Sequence, residues 1–162
     1  DVMLTPADDK HHVQLEPVLE SELDRMRGAH PDALITVQGS LPPATVEAND
    51  MLDSVFRNIL KNGIQHNDKA VPKVCLSATR EDGSVVVRVG DNGPGIPQSQ
   101  RKTIFGKGER GLESTGAGIG LYLVQTLVES YSGEIWVEDP GPDSPDGEVE
   151  GVTFAVELPV VE

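Results

Sequence analysis

The spacing of apolar positions changes several times along the chain, and each change marks an element. Pro17 suits a first helical turn, and Val18, Leu19, Leu23 and Met26 follow on one side before Gly28, which predicts a helix. Ala33–Gln38 reads as a strand, Leu41-Pro42-Pro43 as a turn, and Ala44–Ala48 as a second short strand. Asn49 or Asp50 can cap the next helix, whose buried face is drawn by Leu52, Val55, Phe56, Ile59, Leu60 and Ile64. Asn58, Asn62, Gln65 and His66 fall on another face of it. Lys73–Arg80 and Ser84–Gly90 alternate around Asp82-Gly83, a strong hairpin signal. The second of these strands runs directly into Asp91-Asn92-Gly93-Pro94-Gly95.

Gln98–Ile104 reads as a short helix. Phe105–Ser114 is glycine-rich and charged with little to bury, which predicts a mobile segment. Gly116-Ala117-Gly118-Ile119-Gly120 then leads into a helical pattern of Leu121, Leu123, Val124, Leu127, Val128 and Tyr131, closed by Gly133. Glu134–Glu138 and Gly151–Leu158 read as strands around a Pro/Gly/Asp loop at 139–147, and Asp1–Gln14 is unpatterned and reads as a tail. Helices and antiparallel strands in this mixed order predict an α+β fold, a two-layer α/β sandwich rather than a doubly wound parallel sheet.

At 162 residues the chain fits one domain, and with aromatics at 4% its core must be filled by valine, leucine and isoleucine. The net charge of −14, with no basic run, argues against nucleic acid and anionic lipid as partners. The acidity itself fits either a solvated face or adaptation to high salt, where counterions screen self-repulsion. Cys75, the single cysteine, lies in an apolar run and reads as buried and inert, which suits a reducing compartment. No apolar stretch approaches the ~20 residues that span a bilayer, and no signal peptide is visible. The chain starts at an aspartate and is read as a fragment, with any sensor or membrane segment outside it. His11-His12 has neither partner ligands nor a helical frame nearby.

Three segments carry candidate chemistry. The amide oxygen of Asn62 is a hard ligand suited to Mg²⁺, which takes few protein ligands and completes its shell with phosphates and water. A carboxylate at Asp91, delivered by an apolar strand and followed by Gly93, can accept a hydrogen bond from the exocyclic amine of adenine; a strand-capping turn is the plainer alternative. Pro94 and Pro97 stiffen that segment, and Ile96, Ile104 and Leu121 suit either an apolar pocket wall or the core. Gly116, Gly118 and Gly120 can present N–H groups to phosphates at a helix start. No Lys-Ser or Lys-Thr follows them, and their alternate spacing does not fit GxGxxG, so neither the P-loop nor the dinucleotide pattern applies. Lys107 and Arg110 are isolated cations just upstream, suited to a γ-phosphate or to the surface.

Together these segments resemble the ATP-binding catalytic domain of sensor histidine kinases, in the GHKL (Bergerat-fold) superfamily. Asn58-Ile59-Leu60-Lys61-Asn62-Gly63 resembles the N box, Asp91–Ile96 the first glycine box, Ile104–Arg110 the F box and Thr115–Leu121 the second glycine box. The resemblance implies a mixed sheet of about five strands backed by three helices, with a flexible ATP lid at about 105–118. It implies a tail at 1–12 leading from an upstream domain, and a catalytic domain at 13–162. ATP and Mg²⁺ are the implied cofactors, with Asn62 on the metal and Asp91 on the adenine amine. Thr153 would support that adenine contact, and Gly93, Gly95, Ile96, Phe105 and Leu121 would line the site. Gly116, Gly118 and Gly120 would cradle the phosphates, which Asn58, His66, Lys107 and Arg110 would also face.

The implied activity is donation of the γ-phosphoryl group to a histidine on a separate dimerisation domain, and through it to a response regulator. The fragment would be monomeric, its parent a homodimer, and the domain cytoplasmic. An anti-sigma-type serine/threonine kinase and a non-catalytic nucleotide-binding module are the alternatives on the same fold. Departures from the family pattern are Gln65-His66 in place of a lysine and an aromatic, Gly63 in place of alanine, and Gly108 in place of an aromatic. Hydrolytic members carry a glutamate four residues before the metal asparagine; Asn58 stands there and is a poor base. The acidity together with Gln65-His66-Asn67-Asp68 resembles histidine kinases of salt-loving archaea.

Overall fold

A computed structural model describes residues 10–65, 67, 69–96, 98–100, 103–105, 117–138 and 151–161. Three α-helices, α1 (Leu15–Ala29), α2 (Leu52–Gln65) and α3 (Ala117–Ser130), cover one face of a five-stranded sheet. Its strands are β2 (Leu34–Val37), β4 (Lys73–Glu81), β5 (Ser84–Asp91), β6 (Glu134–Glu138) and β7 (Thr153–Pro159), in the order β2-β4-β5-β7-β6. β2 runs parallel to β4 and every other pairing is antiparallel, so the sheet is mixed. Among the described residues no helix is long and apolar enough to cross a membrane.

Strand alternation separates the two faces of the sheet. Leu76, Val89 and Phe154 lie side by side in one row and Val87 and Val156 in the next, all buried toward the helices. Leu52, Val55, Phe56, Ile59 and Leu60 of α2, and Leu121, Val124, Leu127 and Val128 of α3, close that core from the other side. The opposite face carries polar pairs. Arg88 grips Glu138 through two hydrogen bonds of 3.0 and 3.2 Å, Trp136 donates to the same carboxylate, and Ser84 donates to Glu157. The α1–α2 contact encloses Glu22, 1% exposed, which Arg57 neutralises with two hydrogen bonds of 3.1 and 3.2 Å while also reaching Asp53. A buried carboxylate is tolerable only when paired in this way.

The structure departs from the sequence expectation in several places. Residues 11–14 are not tail but a strand, β1 (His11–Gln14), paired antiparallel with β3 (Thr45–Ala48) in a separate two-stranded sheet. Its side chains are largely exposed, so no alternation announces it; only the backbone pairing makes it a strand. In place of the helix expected over Gln98–Ile104 there are single 3₁₀ turns at Gln98–Gln100 and Thr103–Phe105. Cys75 is half-buried rather than fully buried. The segments at 106–116 and 139–150, including most of the expected lid and the Pro/Gly/Asp loop, lie outside the described residues.

Gly133 ends α3 differently from the expectation. The N–H of Gly133 bonds to Val128 O at 2.9 Å and that of Ser132 to Glu129 O at 3.0 Å, the paired pattern of a Schellman cap. The left-handed position is therefore Ser132, with φ of 66°. Gly133 comes one residue later and is required by packing, because a Cβ there would stand 2.3 Å from Glu157 O in β7. Replacing Ser132 by glycine relieves a left-handed L-residue and should stabilise the domain by about 0.5–1 kcal/mol. Gly133→Ala should destabilise it by about 1–3 kcal/mol through overpacking. Denaturation midpoints in high salt check both; a stabilising Gly133→Ala would refute this assignment of the cap.

Candidate functional site

β5 delivers the central residue. Val85, Val87 and Val89 point into the core, and Asp91 continues that series opposite Val74. A carboxylate thus occupies the next position of an apolar row, and it is only 6% exposed. Burial raises its pKa from 3.8 to about 6, while hydrogen bonds from the Gly93 and Val152 backbones and the field of Lys69 offset part of that rise. The Gly93 N–H reaches its Oδ1 at 2.9 Å, and its own N–H bonds to Val152 O at 3.1 Å.

The neighbours of Asp91 are kept small so that backbone can surround it. On α2, a Cβ at Gly63 would stand 3.3 Å from Asp91 Cβ and from Val74 Cγ2, closer than most real contacts. This gives a packing reason for glycine at a helix position where it weakens the helix. Gly151 has φ of +108°, and a Cβ there would fall 2.0 Å from the Asp91 carbonyl oxygen. Only glycine permits that approach. Sequence reading placed Gly151 inside the last strand and missed it; an isolated glycine leading an alternating strand was the available signal.

The α2 stripe divides into two behaviours. Asn58 donates from Nδ2 to the Ser54 carbonyl at 2.7 Å, tying its amide to its own helix. Asn62, one turn later and half-buried, makes no side-chain hydrogen bond among the described residues. No group of three or more histidine, cysteine, aspartate or glutamate side chains that could hold a metal occurs among the described residues. A single amide oxygen fits a cation that draws its other ligands from phosphate and water, the coordination habit of Mg²⁺.

Not every expected residue converges on this site. Phe105 and Leu121 are buried, 5% and 2% exposed, and Phe105 packs edge-on against Phe154 at 6.2 Å, so both belong to the core beneath the site. Ile96 is partly buried against the same core. Gly95 turns with φ of +83° beside the Gly151 carbonyl. Thr153 is not brought to Asp91: it pairs with Gly90 and Glu138, and alternation puts its side chain on the opposite sheet face. The residue whose backbone lies against Asp91 is Val152. α3 begins at Ala117, so Gly118 and Gly120 lie within its first turn, where N–H groups lack acceptors inside the helix. Gly116, His66, Lys107 and Arg110 lie outside the described residues. Asn67 and Asn92, which stand in sequence motifs but carry no expected role there, hydrogen-bond to each other beside Gly93.

Comparison with known proteins bears on this geometry. The sequence profile described as "Histidine kinase-, DNA gyrase B-, and HSP90-like ATPase" matches residues 47–162. The two-component sensor PhoQ of Pseudomonas aeruginosa is 31% identical over 134 residues, which cover 80% of this chain and 29% of that protein. The mycobacterial sensor histidine kinase MprB superposes with a TM-score of 0.80 at 24% identity, covering 93% of this chain and 97% of that one. Full-length ShkA, solved in complex with AMPPNP, superposes with a TM-score of 0.74 at 26% identity, covering 99% of this chain and 32% of that one. The chain thus spans under a third of the length of PhoQ and of ShkA.

The buried carboxylate has a thermodynamic signature. Unfolded, Asp91 titrates near 3.8; folded, near 6. The native state therefore holds the extra proton in that window, and the group's contribution to stability is lost as pH rises through about 6. Asn at this position keeps an oxygen for the Gly93 N–H without the charge. Asp91→Asn should therefore stabilise the ligand-free domain by roughly 2 kcal/mol at pH 8. The gain should shrink toward pH 4. Thermal melts across that range check it, and a gain that does not vary with pH would overturn the assignment.

Proposed function

This chain belongs to the histidine kinase-, DNA gyrase B- and HSP90-like ATPase family, and from that premise we propose that it is the ATP-binding catalytic domain of a two-component sensor histidine kinase. The observation that carries the reading is the buried acceptor Asp91 beside α2, the helix that also carries Asn62, whose side-chain amide has no partner among the described residues. Asp91 accepts the adenine amine, which selects adenine because guanine presents a carbonyl at the equivalent position. Asn62 holds Mg²⁺, which when bound neutralises phosphate charge. The N–H groups opening α3, together with His66, Lys107 and Arg110, meet the phosphates.

Asn58 supports transfer over hydrolysis. It stands four residues before Asn62, its amide engaged with Ser54 O, and an amide cannot take a proton from water. An ATP site that lacks a base for water retains its γ-phosphoryl group for another acceptor. Transfer then depends on positioning and charge neutralisation, with the nucleophile supplied from outside. The proposed acceptor is a histidine on an upstream dimerisation domain, which passes the group to a response regulator; the domain works in the cytoplasm. The net charge of −14 supports a salt-loving origin.

Calorimetric titration of ATP, ADP and GTP with Mg²⁺ at molar KCl tests the reading. ATP and ADP should bind and GTP should not. Asp91→Ala should weaken ADP at least tenfold, about the loss of one charge-assisted hydrogen bond. Asn62→Ala should remove the Mg²⁺-dependent part of ATP binding only. Transfer of ³²P from ATP to a separately purified dimerisation domain completes the test. A folded domain that binds no adenine nucleotide would overturn the proposal.

A further inference from the structure

Asn67 stands two residues beyond α2 and Asn92 directly after Asp91. The orientation of both amides is dictated by backbone donors, whose direction is unambiguous. The Lys73 N–H points at one end of the Asn92 amide at 2.9 Å, so that atom is Oδ1; its Nδ2 donates to Val71 O at 3.3 Å. The Lys69 N–H likewise fixes Oδ1 of Asn67 at 2.9 Å, leaving Asn67 Nδ2 to donate to Asn92 Oδ1 at 2.7 Å and to Gly63 O at 3.3 Å. Asn92 is 3% exposed and its own N–H bonds to Lys73 O at 3.2 Å, so two bonds tie it to Lys73 at the start of β4 and a third to Val71 just before it, besides the bond from Asn67.

These bonds join the parts that enclose Asp91. One Asn67 hydrogen goes to Gly63, the α2 residue packed against the Asp91 side chain. The other goes to the residue between Asp91 and Gly93, whose N–H holds Asp91 Oδ1. A Cβ at Gly93 would lie 3.5 Å from Asn67 Cα, so the two backbones are in contact. The oxygen of Asn67 organises the turn to Lys69, whose charge favours the ionised form of Asp91. An apolar or acidic side chain at position 67 could make none of the donations.

We propose that Asn67 is a positioning residue for adenine selection: its amide clasps Asn92 and Gly63 together and so sets where the Asp91 carboxylate meets the exocyclic amine of the base. This rests on the nucleotide-binding reading above. The clasp predicts that loss of the Asn67 donor falls on the amine-dependent part of binding, leaving the part due to phosphate and ribose in place.

The test compares ADP with IDP, which carries a carbonyl where adenine carries its amine, by calorimetry at molar KCl with Mg²⁺. Wild type should prefer ADP at least tenfold. Asn67→Asp is nearly isosteric and keeps an oxygen for the Lys69 N–H but cannot donate to Asn92; it should lose most of the preference, chiefly by weaker ADP binding. Asn67→Ser, milder in volume and charge, should lose part of it. In an Asp91→Ala background, Asn67→Ser should change the ADP/IDP ratio no further, because the two act through one contact. A role confined to stability would lower the melting temperature and weaken both nucleotides in proportion. Folded Asn67 variants with the wild-type ratio would overturn the proposal. Wild type that binds neither nucleotide would instead overturn the function on which it rests, a distinct result.

Discussion

Burying the carboxylate of Asp91 at the end of an apolar strand is the constraint on which this structure turns. A charged group 6% exposed, in a row with Val85, Val87 and Val89, is destabilising unless hydrogen bonds surround it. The protein surrounds it with backbone, and backbone can come that close only where side chains are absent. Gly63, Gly93 and Gly151 are one solution to this problem contributed from three distant parts of the sequence. Burial still outweighs these hydrogen bonds and holds the Asp91 pKa up at about 6, so a further donor at the carboxylate would favour its ionised form. Under the proposed function an adenine amine would supply such a donor, and the buried acceptor would thereby contribute selectivity.

The layered architecture follows from the same requirement. A two-layer sandwich has one sheet face covered by helices and one facing outward, so a strand residue can be buried and still lie at the rim beside a helix end. β5 is the central strand of the sheet and Asp91 its last residue, placed beside α2 at Gly63. A shift of one residue in the β5 register would turn Asp91 outward and Gly90 inward. The β5–β7 pairing prevents that slip by matching Val89 with Phe154 and Val87 with Val156. The core therefore sets register, and register sets the site.

How far the sequence discloses this depends on how local each signal is. The three long helices, the hairpin with positive φ at Asp82 and Gly83, and the strands of the main sheet are local patterns, and they read correctly to within a residue or two at their ends. Asp91 reads because a carboxylate ends a valine-rich strand. β1 does not, since four mostly exposed residues become a strand only by pairing with β3, more than thirty positions away. Gly151 and the Asn67–Asn92 clasp are equally non-local: their meaning comes from segments that meet only after folding. The placement of Thr153 away from Asp91 is non-local too. Its position in the last strand was right, but which sheet face it occupies depends on its pairing with Gly90, which spacing alone does not reveal.

Charge distribution completes the physical account. Among the described residues, Arg25, Arg27, Arg57 and Arg88 are engaged with Glu22, Asp24, Asp53 and Glu138, and of these Arg57 ties α2 to α1 and Arg88 ties β5 to β6. The remaining surface carries the excess that makes the net charge −14. A highly charged anionic ligand approaching such a surface is repelled at long range, and salt shortens that range to about 3 Å at 1 M. Under the proposed function, recognition then rests on short-range contacts that screening barely touches: donation by the N–H groups opening α3, and acceptance by the Asn62 amide oxygen and the Asp91 carboxylate. On that reading base selectivity comes from the backbone and Asp91, and does not rest on long-range attraction to a chain of net charge −14.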